Sequence, residues 1–149
     1  MVQIEILILA HVFCDTIPPS PIMHELSIAH SLIETVEEAL ADQPNLKVTG
    51  VNLQLGVLSG VEADSLLFCF DIAAADTRLA GATLKIETVL ARAFCASCGR
   101  DVSPVAPHWY RCPECGAVCA QLSAGRDLQI ASVEIVDPDE ERLNEAPTA

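Results

Sequence analysis

Two Cys-x-x-Cys pairs constrain this chain more than any other feature. The first is Cys95-Ala96-Ser97-Cys98 and the second Cys112-Pro113-Glu114-Cys115, with thirteen residues between them. Each pair is short enough for a tight backbone knuckle to aim both sulfurs at one ion. Gly99 and Gly116 follow the second cysteine of each pair, where a knuckle calls for positive φ. Pro113 pre-sets φ inside the second knuckle. Four thiolates around one divalent ion leave no position for a reacting water, which is the form of a structural zinc site. Other readings use the same residues: a pair of disulfides, a redox Cys-x-x-Cys, which would not need a matching pair nearby, or a rubredoxin-like iron site on similar knuckles.

The rest of the chain has enough apolar material for a core around or beside that module. Apolar residues make up 51% of the 149, but only 4% are aromatic, so the core must be built from Leu, Ile, Val and Ala. The net charge of −13 argues against coating nucleic acid, which rewards clustered Lys and Arg. Arg92, Arg100 and Arg111 lie near the cysteines without forming a basic run. Of the seven cysteines, Cys14, Cys69 and Cys119 follow no disulfide-framework spacing. Together with the lack of a secretory signal, this points to a reducing cytoplasm.

Periodicity then sets the elements. Residues 1–22 hold an apolar run from Ile4 to Phe13, too short to span a bilayer, followed by Pro18, Pro19 and Pro21. This stretch reads as a strand, as an added arm, or as the product of an upstream start codon with Met23 as the working first residue. Residues 24–42 read as a helix, with Leu26, Ala29, Ile33, Val36 and Leu40 as its apolar stripe and Pro44 beyond its end. Residues 47–55 alternate as a half-buried strand with Val51, Leu53 and Leu55 on one face. Ser59-Gly60-Val61-Glu62 has the form of a capping box opening a second helix, which runs to about Ala75 with Leu66, Leu67, Phe70 and Ala74 inward. Thr83 to Leu90 alternates again, with Leu84, Ile86 and Leu90 on one face.

A third strand, Leu128 to Val136, follows the cysteines. Its apolar phase shifts by one residue, which predicts a bulge near Ala131-Ser132. The expected fold is therefore α+β: a three-stranded sheet packed with two helices, plus an inserted four-cysteine module of zinc-ribbon or rubredoxin-like knuckles. The expected divisions are an extension at 1–22, an α/β domain from 23–90 with 124–137, the metal module at 91–123, and a disordered acidic tail at 138–149. Metal would fold the module, since some thirty residues bury too little surface alone.

A second metal candidate stands at the first helix start, Met23-His24-Glu25-Leu26. Were Met23 the first residue, its amine, the backbone nitrogens of His24 and Glu25, and the His24 imidazole would form one chelating run. Four such nitrogens suit Ni(II) or Cu(II). With residues 1–22 in place the amine is an amide and does not ligate in that way. The bland alternatives are a solvated histidine and a glutamate favoring the helix dipole. Glu62 has a capping role as its bland reading. His30, His108 and Cys119 read as a solvated residue, a loop residue and a packed thiol.

Four separated motifs carry a resemblance: Met23-His24-Glu25-Leu26-Ser27-Ile28-Ala29, Leu55-Gly56-Val57-Leu58-Ser59-Gly60-Val61-Glu62, the paired knuckles, and Gly125-Arg126-Asp127-Leu128-Gln129-Ile130 with Ser132-Val133-Glu134-Ile135. Over roughly residues 23–137 the chain resembles the hydrogenase maturation factor HypA/HybF family, whose chains begin at the Met of the Met-His-Glu motif. The resemblance implies a nickel metallochaperone and not an enzyme. It implies His24 as principal nickel ligand, Glu25 as its companion, and Met23 and Glu62 as secondary candidates. It makes Cys95, Cys98, Cys112 and Cys115 the ligands of a structural zinc. The implied partners are the GTPase HypB and the large-subunit precursor of a NiFe hydrogenase, with neither nucleic acid nor membrane, and with the chain a monomer or weak homodimer. The extension departs from the family pattern and bears on any amine-based nickel geometry. The competing classes are a zinc-ribbon interaction module and a rubredoxin-like electron carrier; no nucleophile–base pair, phosphate loop or open three-ligand zinc motif supports an enzyme.

Overall fold

A computed structural model describes residues 4–6, 10–11, 21–104, 110–119 and 121–139, with side chains described from residue 24 onward. Helix α1 spans Pro21–Ala39, strand β3 Lys47–Gly56, helix α2 Ala63–Ala74 and strand β4 Thr83–Val89. They are preceded by two short strands, β1 at Ile4–Ile6 and β2 at Ala10–His11. Three short strands follow β4, namely β5 at Arg92–Cys95, β6 at Arg100–Val102 and β7 at Gln121–Ala124, before β8 at Leu128–Val136.

The larger sheet has the order β1-β8-β3-β4, with β2 also pairing β8. β3 and β4 run parallel, from Gly50 opposite Thr83 to Gly56 opposite Val89, and α2 is the crossover that parallel neighbors require. β8 runs antiparallel to β3. The bulge expected near Ala131 is present: Asn52 pairs with Ser132 and Leu53 with Ile130, leaving Ala131 as the extra residue. The bulge shifts the alternation by one, which lets Ile130, Val133 and Ile135 all be buried on a strand of otherwise strict period.

The core lies between this sheet and the two helices. Ala29, Ile33, Val36 and Leu40 are buried as the stripe predicts, joined by Ile28 and Leu32, so the buried face of α1 is wider than a single stripe. Phe70 on α2 is the largest fully buried side chain among the described residues. Just past the end of α1, the Arg78 guanidinium donates to the Leu40 carbonyl at 3.0 Å and the Gln43 carbonyl at 3.4 Å, adding to the turn bonds those carbonyls accept from the Gln43 and Leu46 amides.

Several expectations are corrected. α1 begins at Pro21, three residues before the expected start, because proline is well suited to a first helical turn. It also ends at Ala39, short of the expected 42. The large sheet has five strands, not three, because β1 and β2 add to the β8 edge. Leu67 is 37% exposed and Leu90 68% exposed, so neither points inward. Leu90 lies past the last β4 residue, where the alternation of the strand no longer governs it. The capping box does not form: the N-cap is Glu62 itself, without a side-chain capping bond, while the Ser59 hydroxyl accepts from the Val61 amide at 3.3 Å. His108 and residues 140–149 lie outside the described residues.

The smaller sheet, β6-β5-β7, has its own core of Ala93, Cys95, Val102, Cys112 and Cys119. It falls between β4 and β8 in the chain, and Arg92 of β5 pairs with Ala124 of β7 where the chain leaves and returns. The two glycines at this crossing matter. A Cβ on Gly56 would stand 2.3 Å from the Gly125 carbonyl carbon and oxygen, and one on Gly125 would stand 2.6 Å from the Ala91 Cα. Backbones touch here because neither residue carries a side chain. The approach is held by hydrogen bonds from the Leu58 amide to the Gly125 carbonyl at 2.7 Å and from the Gly56 amide to the Asp127 carbonyl at 2.8 Å.

Candidate metal centres

The cysteine centre is built by two similar turns. The Gly99 amide donates back to the Cys95 carbonyl at 2.8 Å, and the Gly116 amide to the Cys112 carbonyl at 3.0 Å. Gly99 and Gly116 have φ of 67° and 71°, the left-handed conformation their positions predict. The Arg100 guanidinium, just past the first knuckle, pairs with the Glu114 carboxylate inside the second. Sequence reasoning missed that link; its signal was an Arg and a Glu at neighboring places in the two knuckles.

All four sulfurs lie within 4.8 Å of one another. Cys95 and Cys115 sulfurs are 3.6 Å apart, and Cys98 and Cys112 sulfurs 3.8 Å apart. Those separations are too long for S–S bonds of about 2.05 Å, which removes the disulfide reading in this arrangement. A tetrahedron with metal–sulfur bonds of about 2.3 Å places its sulfurs about 3.8 Å apart. The donor set and spacing therefore fit zinc. The thiols are unequal. The Cys98 backbone amide hydrogen-bonds the Cys95 sulfur and lowers that thiol to about 7. Hydrogen bonds that Cys98 shares with the Cys115, Cys112 and Cys95 sulfurs push the Cys98 thiol up to about 12. Cys119 is buried beside this cluster without belonging to it, and its thiol is raised chiefly by desolvation.

The second candidate centre lies where α1 starts and α2 is capped. Glu25 is only 4% exposed, and its Oε1 faces the Glu62 amide at 3.5 Å. Its other oxygen, Oε2, is buried with no hydrogen-bond partner. An ionised carboxylate with one buried, unpaired oxygen is costly, and a cation beside it relieves that cost. His24 is half-buried next to it on the first turn of α1, and Glu62 is exposed. The fold thus brings Glu25 and Glu62 together, adjacent in sequence to His24, although 37 residues separate the two glutamates. His30 is exposed, in line with a solvated role. The side chain of Met23 lies outside the described residues, though its backbone is helical and preceded by Pro21 and Ile22 in the same helix.

The family described as hydrogenase/urease nickel incorporation, metallochaperone, HypA matches residues 23–135. The chain is 49% identical over 115 residues to the hydrogenase maturation factor HypA of Roseiflexus sp. (strain RS-1), across 77% of this chain and 94% of that protein. It is 43% identical over 112 residues to the hydrogenase maturation factor HypA of Chloroflexus aurantiacus (strain ATCC 29366 / DSM 635 / J-10-fl), across 75% of this chain and 98% of that protein. The solution structure of the Ni metallochaperone HypA from Helicobacter pylori shares the fold, with a TM-score of 0.56 at 20% identity, covering 75% of this chain and 97% of that one.

Proposed function

The chain belongs to the HypA family of hydrogenase/urease nickel-incorporation metallochaperones, and from that membership we propose that it takes up Ni(II) at the start of α1 and delivers it to a NiFe hydrogenase large-subunit precursor. His24 is the principal ligand, Glu25 its companion, and Met23 and Glu62 the secondary candidates. The single observation that supports this choice most is the buried, unpartnered Oε2 of Glu25 one residue from His24. A carrier needs few ligands and fast release, and a half-exposed histidine on the first turn of a helix meets that need better than a closed cage. The net charge of −13 favors approach of a divalent cation.

The four knuckle cysteines, Cys95, Cys98, Cys112 and Cys115, hold zinc in this reading, and the ion ties the smaller sheet together. Residues 23–90 with 124–137 form the nickel domain and residues 91–123 the zinc module. HypB is the GTPase partner, and the chain binds and hands on an ion rather than turning over a substrate. No helix among the described residues is long and apolar enough to cross a membrane. In this reading the handover takes place in the cytoplasm, the compartment that free thiols suit.

Nickel titration tests the assignment. The chain from Met1 and the chain from Met23 are each titrated with and without His24→Ala. Loss of one nickel per chain in both His24→Ala variants is the expected result. Equal stoichiometry in all four removes the nickel assignment.

A further inference from the structure

Helix α2 carries large apolar side chains on both of its faces. Leu66, Cys69, Phe70 and Ala74 are buried in the core. Asp64, Leu67, Phe68, Asp71 and Ile72 recur at three- and four-residue spacing, so they share the outer face, and all are exposed. Phe68 is 68% exposed and Ile72 56% exposed, one turn apart. No other helix or strand among the described residues shows more than one large apolar side chain to solvent. The outer face of α1 makes the contrast: it carries Ser27, His30, Glu34 and Glu38. A helix apolar all round is suited to burial, and clustered exposed apolar groups mark an interaction surface.

Charge selects what covers this face. Neither α1 nor α2 contains a Lys or Arg. Asp64 and Asp71 stand within the face itself, exposed Asp76 follows the last turn of α2, and exposed Glu34 and Glu38 lie on the neighboring helix. A second copy would bring Asp64 and Asp71 against like charges, and anionic lipid or nucleic acid would be repelled in the same way. A partner that sets Lys or Arg beside its own apolar side chains complements both features of the face. Phe68 and Ile72 form a ridge along the helix, the shape that seats in the groove of another helix.

We propose that the outer face of α2 docks a basic amphipathic helix of a partner protein. Phe68 and Ile72 meet its apolar stripe, and Asp64 and Asp71 meet its Lys or Arg side chains. The face begins two residues past Glu62, whose amide meets Glu25, so the docked helix lies beside the end of the domain that carries His24 and Glu25. The docking itself needs no metal and stands apart from the nickel assignment.

Two synthetic helical peptides of about 18 residues serve as probes, one with a leucine stripe flanked by lysines and one with the same stripe flanked by glutamates. Each is titrated into the full chain while amide chemical shifts are followed by NMR. The lysine peptide is expected to bind saturably with shifts centred on residues 63–75, and the glutamate peptide at least tenfold more weakly. Phe68→Ala and Ile72→Ala are each expected to weaken the lysine peptide about tenfold. Asp64→Asn with Asp71→Asn is expected to flatten its salt dependence. Both apolar side chains are exposed, so melting temperature and nickel stoichiometry should match those of the unaltered chain. The proposal is overturned if the lysine peptide does not bind, if the two peptides bind equally, if the shifts centre outside 63–75, or if Phe68→Ala leaves the affinity unchanged.

Discussion

The Glu25 carboxylate meets the Glu62 backbone amide at 3.5 Å, joining the first turn of α1 to the cap of α2. The contact replaces the capping box that Ser59 and Glu62 suggest from their spacing. It leaves the Glu62 side chain without a capping duty and turns the Glu25 carboxylate inward with one oxygen unpaired.

Glu25→Gln separates the two jobs of that carboxylate. The amide oxygen still accepts from Glu62, so stability should hold within about 1 kcal/mol. Nickel affinity should fall about 10- to 100-fold, as for loss of a group that ligates or orients a ligand. Calorimetric titration alongside a thermal melt reads both; an unchanged affinity removes Glu25 from the nickel site.

His24→Ala should abolish nickel binding at the helix start and leave zinc content unaltered. Metal analysis of both ions reads the two effects separately, and nickel stoichiometry unchanged by His24→Ala would falsify the imidazole's role.

Zinc affinity should depend on pH. With its thiol lowered to about 7, Cys95 is already ionised at higher pH, whereas Cys98, pushed up to about 12, must give up a proton to the solvent when metal binds. Below about pH 7 the Cys95 proton must be displaced as well. Apparent zinc affinity should therefore fall more steeply below that point than above it, by about one further decade per pH unit. Competition with a chelator across this range measures the slope. Cys98→Ser should lose zinc and expose the core around Ala93 and Val102; zinc content equal to that of the unaltered chain contradicts the assignment.

Gly56→Ala should be poorly tolerated although alanine is the smallest possible change. The new Cβ would sit 2.3 Å from Gly125 main-chain atoms, which have no rotamer to escape into. A loss of about 3 kcal/mol is expected, lowering the melting temperature by about 6–12 °C. A melt within 2 °C or so of the unaltered chain would show that the crossing can spread at little cost.

Much of this architecture is legible in the residues because it rests on local rules. The α1 stripe, the alternation in β3 and the phase slip at Ala131 each reflect a period set by backbone geometry. The knuckles are legible because ligand spacing and following glycines are fixed by one ion. What was not legible depends on partners distant in the chain. Ser59 satisfied the pattern of a cap, but the Glu62 amide was claimed from α1. Leu67 and Leu90 carried the right residue type at positions where the element had turned away or ended. Gly56 and Gly125 stood within the family motifs, yet their reason is a backbone contact between residues far apart. The burial of Glu25 is likewise invisible from a motif that reads as a solvated first turn.

The crossing at Ala91 and Gly125 sets how the two sheets share their stability. Because Arg92 and Ala124 are paired there, everything between them is a loop whose ends are already fastened. Lengthening or shortening such a loop changes its closure entropy only logarithmically, by about 0.6 kcal/mol per doubling. The span between the knuckles is therefore open to insertion and deletion at little thermodynamic consequence to the helices and β3, and stripping the metal should melt the part beyond the fastening while the sheet behind it stays folded.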